Sequence, residues 1–375
     1  MNRNIKLVVP IIGVLTFSHA YAQSSVTLYG LLDNSLQYTH NTGGQHSSLV
    51  LQSGQMQGSR WGLKGKEDLG SGNSAVFDIE SGFNINNGKG NSGLEFSRQA
   101  YVGLANKSYG TVTLGRQTDT LLDLVLPVQG NWDLEYFTAP GDVDDGDGTV
   151  RLNNAVKWTS PVVSGFQGAA MYAFGNTAGT MGSGQAYNAA INYTHGPFVA
   201  ALGYYHIDNG HGAGTTRGSL TADGNIYSPV NVAYLTASAV NIVRTGATYT
   251  IGKVTVGGYY SYSEYLADGQ SSFKSAERYN NGSVFALWQF RPDTSFEFGY
   301  DYLKSHGDSS ATYHQVTAAA DYALSKRTDV YASVGYGHAS GRNGNGAAQA
   351  VIADTYPDAG NSSQEIAMVG VRHKF

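Results

Sequence analysis

The chain has 375 residues, 49 glycines, 26 tyrosines, no cysteine and only 14% charged residues, with a formal net charge of −5. Without cysteine, neither disulfides nor thiolate metal sites can hold the fold, and the acidic balance excludes nucleic acid, whose recognition needs a basic face. Beyond the first 22 residues no stretch offers 18 consecutive apolar residues, which excludes membrane-spanning helices, and short alternating runs of β-branched and aromatic residues indicate an all-β protein.

Residues 1 to 22 read as an export signal, with Arg3 and Lys6 before an apolar stretch from Leu7 to Phe17 and a small-x-small triplet at Ala20, Tyr21 and Ala22. The apolar stretch, interrupted by Pro10, is too short for an anchor, which needs about 20 residues. Cleavage after Ala22 would leave 23–375 as a single unit.

Sixteen strands are predicted along that unit, at about 25–39, 57–68, 73–86, 94–106, 109–117, 150–160, 165–176 and 185–195, then 197–208, 241–252, 253–267, 276–290, 294–306, 312–325, 327–341 and 363–375. From Thr294 one parity gives Phe296, Phe298, Tyr300 and Tyr302, and the other gives Ser295, Glu297, Gly299 and Asp301. Val316, Ala318, Ala320 and Tyr322 likewise alternate with Thr317, Ala319, Asp321 and Ala323, and Val330 to Tyr336 with Tyr331 to Gly337. Such strands suit a wall between lipid and a wet lumen. Most tyrosines share the apolar parity and are expected in lipid-facing girdles, and the aromatic Phe375 suits that level too.

The links alternate in length. Short ones carry turn residues, as in Gly70-Ser71-Gly72, Gly196-Pro197 and Arg291-Pro292-Asp293, and between them lie long ones at about 118–149, 209–240 and 342–362. Tight turns on one side and long loops on the other mark an outer-membrane barrel, and an even strand count lets the sheet close without an unpaired edge in hydrocarbon. The fold class is therefore an all-β, sixteen-stranded antiparallel transmembrane β-barrel. Its lumen is too wide for side chains to fill, so water occupies it. The segment Gln117–Val150 is the candidate for narrowing it. It holds Asp119, Asp123, Asp133, Glu135, Asp142, Asp144, Asp145 and Asp147 without a Lys or Arg before Arg151.

The motifs SSVTLYGLLD (24–33), GSRWGLKGKEDLG (58–70), AVFDIESGF (75–83), SRQAYVGLANKSYGTVTLGRQ (97–117), VRLNNAVKWTSPVVSGF (150–166) and VGVRHKF (369–375) together resemble the Gram-negative general-diffusion porins, especially their betaproteobacterial branch. The resemblance spans essentially the whole chain after residue 22. It implies an outer-membrane homotrimer, each barrel with its own pore narrowed by an inward-folded third extracellular loop, passing ions and small hydrophilic solutes by passive diffusion. It also implies a basic ladder opposite that loop and maps it onto Arg60, Lys64, Arg98 and Arg151, with Asp119, Asp123, Asp133 and Glu135 on the loop side. Arg60 and Lys64 share the parity of Gly62 and Lys66 and should face the lumen. Arg98 shares the parity of Ala100, Val102 and Leu104, so only the match, or a bulge, turns it inward. Cations facing carboxylates would set a transverse field, and the acidic excess of the loop tilts the expected ion preference toward cations.

Other signals are weaker. Asp142 to Thr149 resembles part of a calcium loop, but Leu152 to Asn154 stand where the closing bidentate Glu belongs, so a solvated acidic loop is the better reading. His206 and Asp208 share a strand face without a nucleophile or third partner, and HExxH, GxSxG and GxGxxG contexts are missing, so neither an enzyme nor a cofactor or metal is expected. The alternatives are a substrate-selective channel, which would need an aromatic track along the lumen, a barrel hydrolase, or an adhesin acting through loops such as 209–240.

Overall fold

The computed structural model describes residues 24–130, 136–176, 178–179, 182–208, 222–223, 227–353 and 359–375. Sixteen antiparallel strands close into one barrel. In chain order they are β1 (Ser25–Thr42), β2 in two segments (Gln45–Ser53 and Arg60–Gly70), β3 (Asn73–Gly82), β4 (Gln99–Asn106), β5 (Gly110–Gln117), β6 (Arg151–Thr159), β7 (Phe166–Ala173) and β8 (Ala186–His195). The second half comprises β9 (Phe198–Asp208), β10 (Ala239–Ile251), β11 (Val254–Leu266), β12 (Glu277–Arg291), β13 (Thr294–His306), β14 (Ser310–Ala323), β15 (Thr328–Asn343) and β16 (Ser363–Lys374). Each pairs with its neighbours in sequence, and β16 pairs with β1 from Leu31↔Lys374 to His40↔Glu365. Two further pieces are short: Ala222–Asp223 on β6, and Gly346–Ala347 on β15.

The period-two patterning fixes which face is which, because a slip of one residue would turn every apolar side chain inward. Phe298, Tyr300, Tyr302, Val316, Val334 and Tyr336 are exposed on the outside, whereas Ser295, Glu297, Asp301, Thr317 and Ser333 are buried on the inside. The expected strands hold to within a few residues, with two departures. β3 ends at Gly82 and β4 begins only at Gln99. β2 begins well before residue 57, because Gly43-Gly44, both at positive φ, turn the chain back along β1.

The break inside β2 is organised by Asp33 of β1. Its carboxylate accepts from the Gln57 amide at 2.8 Å and from the Tyr331 hydroxyl at 2.6 Å, and its carbonyl accepts from Gly54 N–H and the Ser59 hydroxyl. A buried carboxylate held by several donors can keep an irregular segment in place where ladder bonds cannot.

Not every tyrosine follows the outward parity. Tyr205, Tyr259, Tyr265, Tyr279, Tyr313 and Tyr331 all turn inward and are buried, most of them under loops folded against the inner wall. They are covered, so they do not form an open aromatic track.

Small residues on the inner wall leave room for the segment after β5. Ala169, Ala190, Ala201 and Gly203 face inward beneath the short helix α1 (Thr120–Leu124), and a Cβ built on Gly203 would lie 2.4 Å from Leu121 Cγ. Overpacking of this kind costs about 1–3 kcal/mol. Gly203→Val should therefore lower the unfolding temperature in detergent and alter single-channel conductance, while Gly282→Val, at a position with no atom within 4 Å, should change neither.

Candidate pore lining

The described residues of the segment after β5, 118–130 and 136–150, are held against the inner wall from several sides. The Asp119 carboxylate caps α1, accepting from Leu121 N–H at 2.7 Å and Leu122 N–H at 3.0 Å, and the Thr120 amide donates to Asn188 of β8. Further on, Arg244 of β10 donates to Asp145 O at 2.7 Å, Tyr259 of β11 to Asp144 Oδ2 at 2.7 Å, and Tyr265 to Val143 O at 3.0 Å. Tyr136 reaches the other side of the barrel, where its hydroxyl donates to Gln37 of β1 at 2.9 Å. Gln315 of β14 donates through Nε2 to Tyr136 O and Thr138 O, while its Oε1 accepts from Ala353 N–H of the last loop. The segment thus touches strands from β8 round to β1.

Three of the four mapped wall cations come together. Arg60, Arg98 and Arg151 line one cavity of about 470 Å³ with Leu122, Leu126 and Asp147 from the segment. Arg98 precedes the first residue of β4, so strand alternation does not govern it. Its guanidinium turns inward to Glu80 at 2.6 Å. Arg151 donates to Gly148 O and Val150 O, and neither it nor Arg60 makes an ion pair among the described residues. Lys64 stands apart, 4.9 Å from the centre of the Tyr29 ring, and lines a second cavity of about 280 Å³ with Lys66, Asp78 and Tyr101.

The loop acids are placed differently from one another. Asp119 is fully buried, 3.7 Å from Arg244 Nη2. Asp123 pairs with Lys157 of β6 at 2.6 Å and accepts from the Thr118 hydroxyl, and burial holds its carboxyl above the usual range against the pull of Lys157. Asp133 and Glu135 lie outside the described residues. Burial pushes Asp145 up to about 7, Asp119 adding to the shift and Arg244 opposing it. In the calcium-like stretch the carboxylates cap their own turns, Asp142 accepting from Asp147 N–H, Asp144 from Gly146 N–H and Asp145 from Val150 N–H. Among the described residues no group of three or more His, Asp or Glu is arranged to hold a metal. His206 and Asp208 have separate partners, with His206 Nδ1 at 2.7 Å from Asn241 Oδ1 and Asp208 accepting from Gly184 N–H.

Sequence reasoning missed Glu80, Lys157 and Arg244. Glu80 shares the inward parity of Asp78 and was open to the same alternation argument that placed Arg60. Arg244 was hidden because Val240, Ile242 and Val243 are apolar on both parities, which erases the period-two signal.

Comparison with known proteins agrees with this architecture. The family model described as Gram-negative porin matches residues 12–342. An outer membrane porin protein of Bordetella pertussis is 34% identical over 219 residues, covering 50% of this chain and 56% of that protein. Outer membrane porin protein 32 of Delftia acidovorans is 28% identical over 372 residues, covering 95% of each. Among solved structures, an anion-selective porin from Comamonas acidovorans superposes with a TM-score of 0.72 at 23% identity, covering 94% of this chain and 100% of that one. Salmonella typhi OmpF superposes at 0.60 with 15% identity, covering 93% and 97%. A closed sixteen-stranded barrel, oily outside and polar within, together with these matches shows that the chain belongs to the Gram-negative porin family and is an outer-membrane porin, a channel for passive diffusion.

Proposed function

We propose that the narrowest section of this channel lies where Leu122, Leu126 and Asp147 face Arg60, Arg98 and Arg151, and that it passes small hydrophilic solutes with a preference for anions. The observation carrying this reading is the convergence of the three arginines on one cavity with Leu122, Leu126 and Asp147. The loop is rich in acids, but Asp119 faces Arg244, Asp123 faces Lys157, and burial favours a proton on Asp145. Raw loop acidity therefore overstates the negative charge felt by a passing ion. Arg60 and Arg151 lack ion-pair partners among the described residues and keep their charge for the solute, since guanidinium groups stay protonated in proteins. Side chains of opposite sign across a narrow passage orient water and dipolar solutes and set ion choice.

The family's channels are not enzymes, and no cofactor or metal takes part in this reading. Outer-membrane lipid surrounds the barrel. Three copies assemble, and residues 1–22 are removed during export. Trimeric forms among structural neighbours support the assembly.

Removing one lining charge changes an ion's local energy by about 1 kcal/mol at water-like screening, roughly fivefold in a permeability ratio. Under a salt gradient across a planar bilayer, Arg60→Gln combined with Arg151→Gln should move the reversal potential toward cations. An unchanged potential would remove both residues from the narrow section. Raising the pH through about 7 strips the Asp145 proton and adds a negative charge near Arg151, so anion preference should fall on the alkaline side. A flat pH profile would place Asp145 too far from the ion path to matter. On unheated gels the purified protein should run well above 39.8 kDa and collapse to the monomer position on boiling. Migration at the monomer position before heating would count against the trimer.

A further inference from the structure

β2 is interrupted beside the arginine-lined cavity. Leu31 of β1 pairs with Arg60 and Asn34 with Ser53, so residues 54–59 of β2 stand opposite only Leu32 and Asp33. Backbone groups in such an excess cannot all join the ladder and need other partners. Asp33 supplies several. Its Oδ2 accepts from Gln57 N–H at 2.8 Å and its carbonyl from Gly54 N–H at 2.9 Å. Ser59 Oγ accepts from Asp33 N–H and donates to Asp33 O, each at 3.0 Å. One residue thereby holds the interruption near both ends and between them.

The carboxylate is itself held from the far side of β16. Tyr331 of β15 stands in register with Gly370 of β16, which in turn faces Ser35 of β1. The Tyr331 ring lies over Gly370, where a Cβ would collide with it. Glycine at that position lets the hydroxyl cross a strand and donate to Asp33 Oδ1 at 2.6 Å. Asp33, Ser59 and Tyr331 are all buried, so removing one partner leaves another without a hydrogen bond in a dry place.

Gly54 to Gly58 line the same cavity as Arg60, Arg98 and Arg151, and a Cβ on Gly58 would lie 3.2 Å from Arg98 Nη1. The three arginines are not held alike. Arg98 has Glu80, and Arg151 has Gly148 O and Val150 O. The Arg60 guanidinium has no hydrogen-bond or ion-pair partner among the described residues. Its place therefore rests on its backbone, which follows directly on Ser59.

We propose that Asp33 is a positioning residue for ion selection, which places Arg60 in the narrow section by fixing residues 54–59. This rests on the reading that Arg60 faces the ions there. Asp33 is fully buried and touches no ion itself. The sign of its charge separates two roles. As a bare charge it would weaken the field of Arg60, so that its loss would favour anions. As a positioning group its loss releases Arg60 and favours cations.

Reversal potentials of the full-length protein in planar bilayers under a KCl gradient test this. Asp33→Ala should lower the anion-over-cation permeability ratio about as far as Arg60→Gln, roughly fivefold. Combined with Arg60→Gln it should add nothing, because the two changes act on one group. Tyr331→Phe, which removes one hydrogen bond and no charge, should lower the ratio by a smaller factor, again only while Arg60 is present. Ser333→Ala, which removes a buried hydroxyl two residues further along β15, should leave the ratio unchanged. Heat-shifted gel mobility shows which variants are folded, and if Asp33→Ala is not among them, Tyr331→Phe decides by the same criteria. A ratio that is unchanged or raised, or that falls equally on top of Arg60→Gln, would overturn the proposal and leave the narrow section where it is. An Arg60→Gln channel with an unaltered ratio would instead remove the reading beneath it, and the proposal with it.

Discussion

Hydrocarbon offers no partner to a backbone N–H or C=O, and each one left open there costs several kcal/mol. That cost forces the sheet to close. The pairing of β16 with β1 removes the two edges a flat sheet would expose, and the remaining features follow from the closed ring. Closure with sixteen strands leaves an interior wider than side chains can fill. Loops fold into that space, and the inner wall is shaped to receive them. Gly203 gives way to Leu121, and Gly335 and Gly337 lie against Ile352 of the last loop.

The loops inside the barrel hold one another as well as the wall. Gln315 joins the segment after β5 to the loop before β16 by donating to Tyr136 O and Thr138 O and accepting from Ala353 N–H, and Gly141 N–H bonds Ala353 O. Tyr265 accepts from Asn231 Nδ2 and donates to Val143 O, tying in the loop before β10. Buried polar groups satisfied in this way specify a unique arrangement, because losing any partner strands another in a dry place. Arg244 is held less completely, its Nη1 donating to Asp145 O while Nη2 lies 3.7 Å from Asp119, and the acidic loop around it is what makes a fully buried guanidinium tolerable.

Much of the barrel was legible because a strand between oil and water must alternate, and Phe296 to Tyr302 or Val330 to Tyr336 show that alternation without ambiguity. The wall arginines were legible chiefly through resemblance, and Arg98 shows why. Alternation would have sent it toward lipid, yet it falls just before β4, where the rule no longer applies. Gln45–Ser53 went unread because Leu49, Val50 and Leu51 put exposed apolar side chains on both parities between polar ends, which hides the period of two. The inward tyrosines went unread because their environment is made by loops distant in sequence, as with Tyr331 on Asp33 and Tyr259 on Asp144. Local pattern cannot encode a contact whose other half lies on a remote loop.

The seam between β1 and β16 also governs timing. Gly30 and Phe375 exchange backbone hydrogen bonds at 3.1 and 3.0 Å, so the first strand finds its second neighbour only when the last strand arrives. A growing chain has no hydrocarbon-compatible intermediate short of completion, and contacts between such distant segments form slowly. Until then the exposed ladder of β1 invites pairing with any strand nearby. The ring therefore closes only once strands far apart in sequence have met.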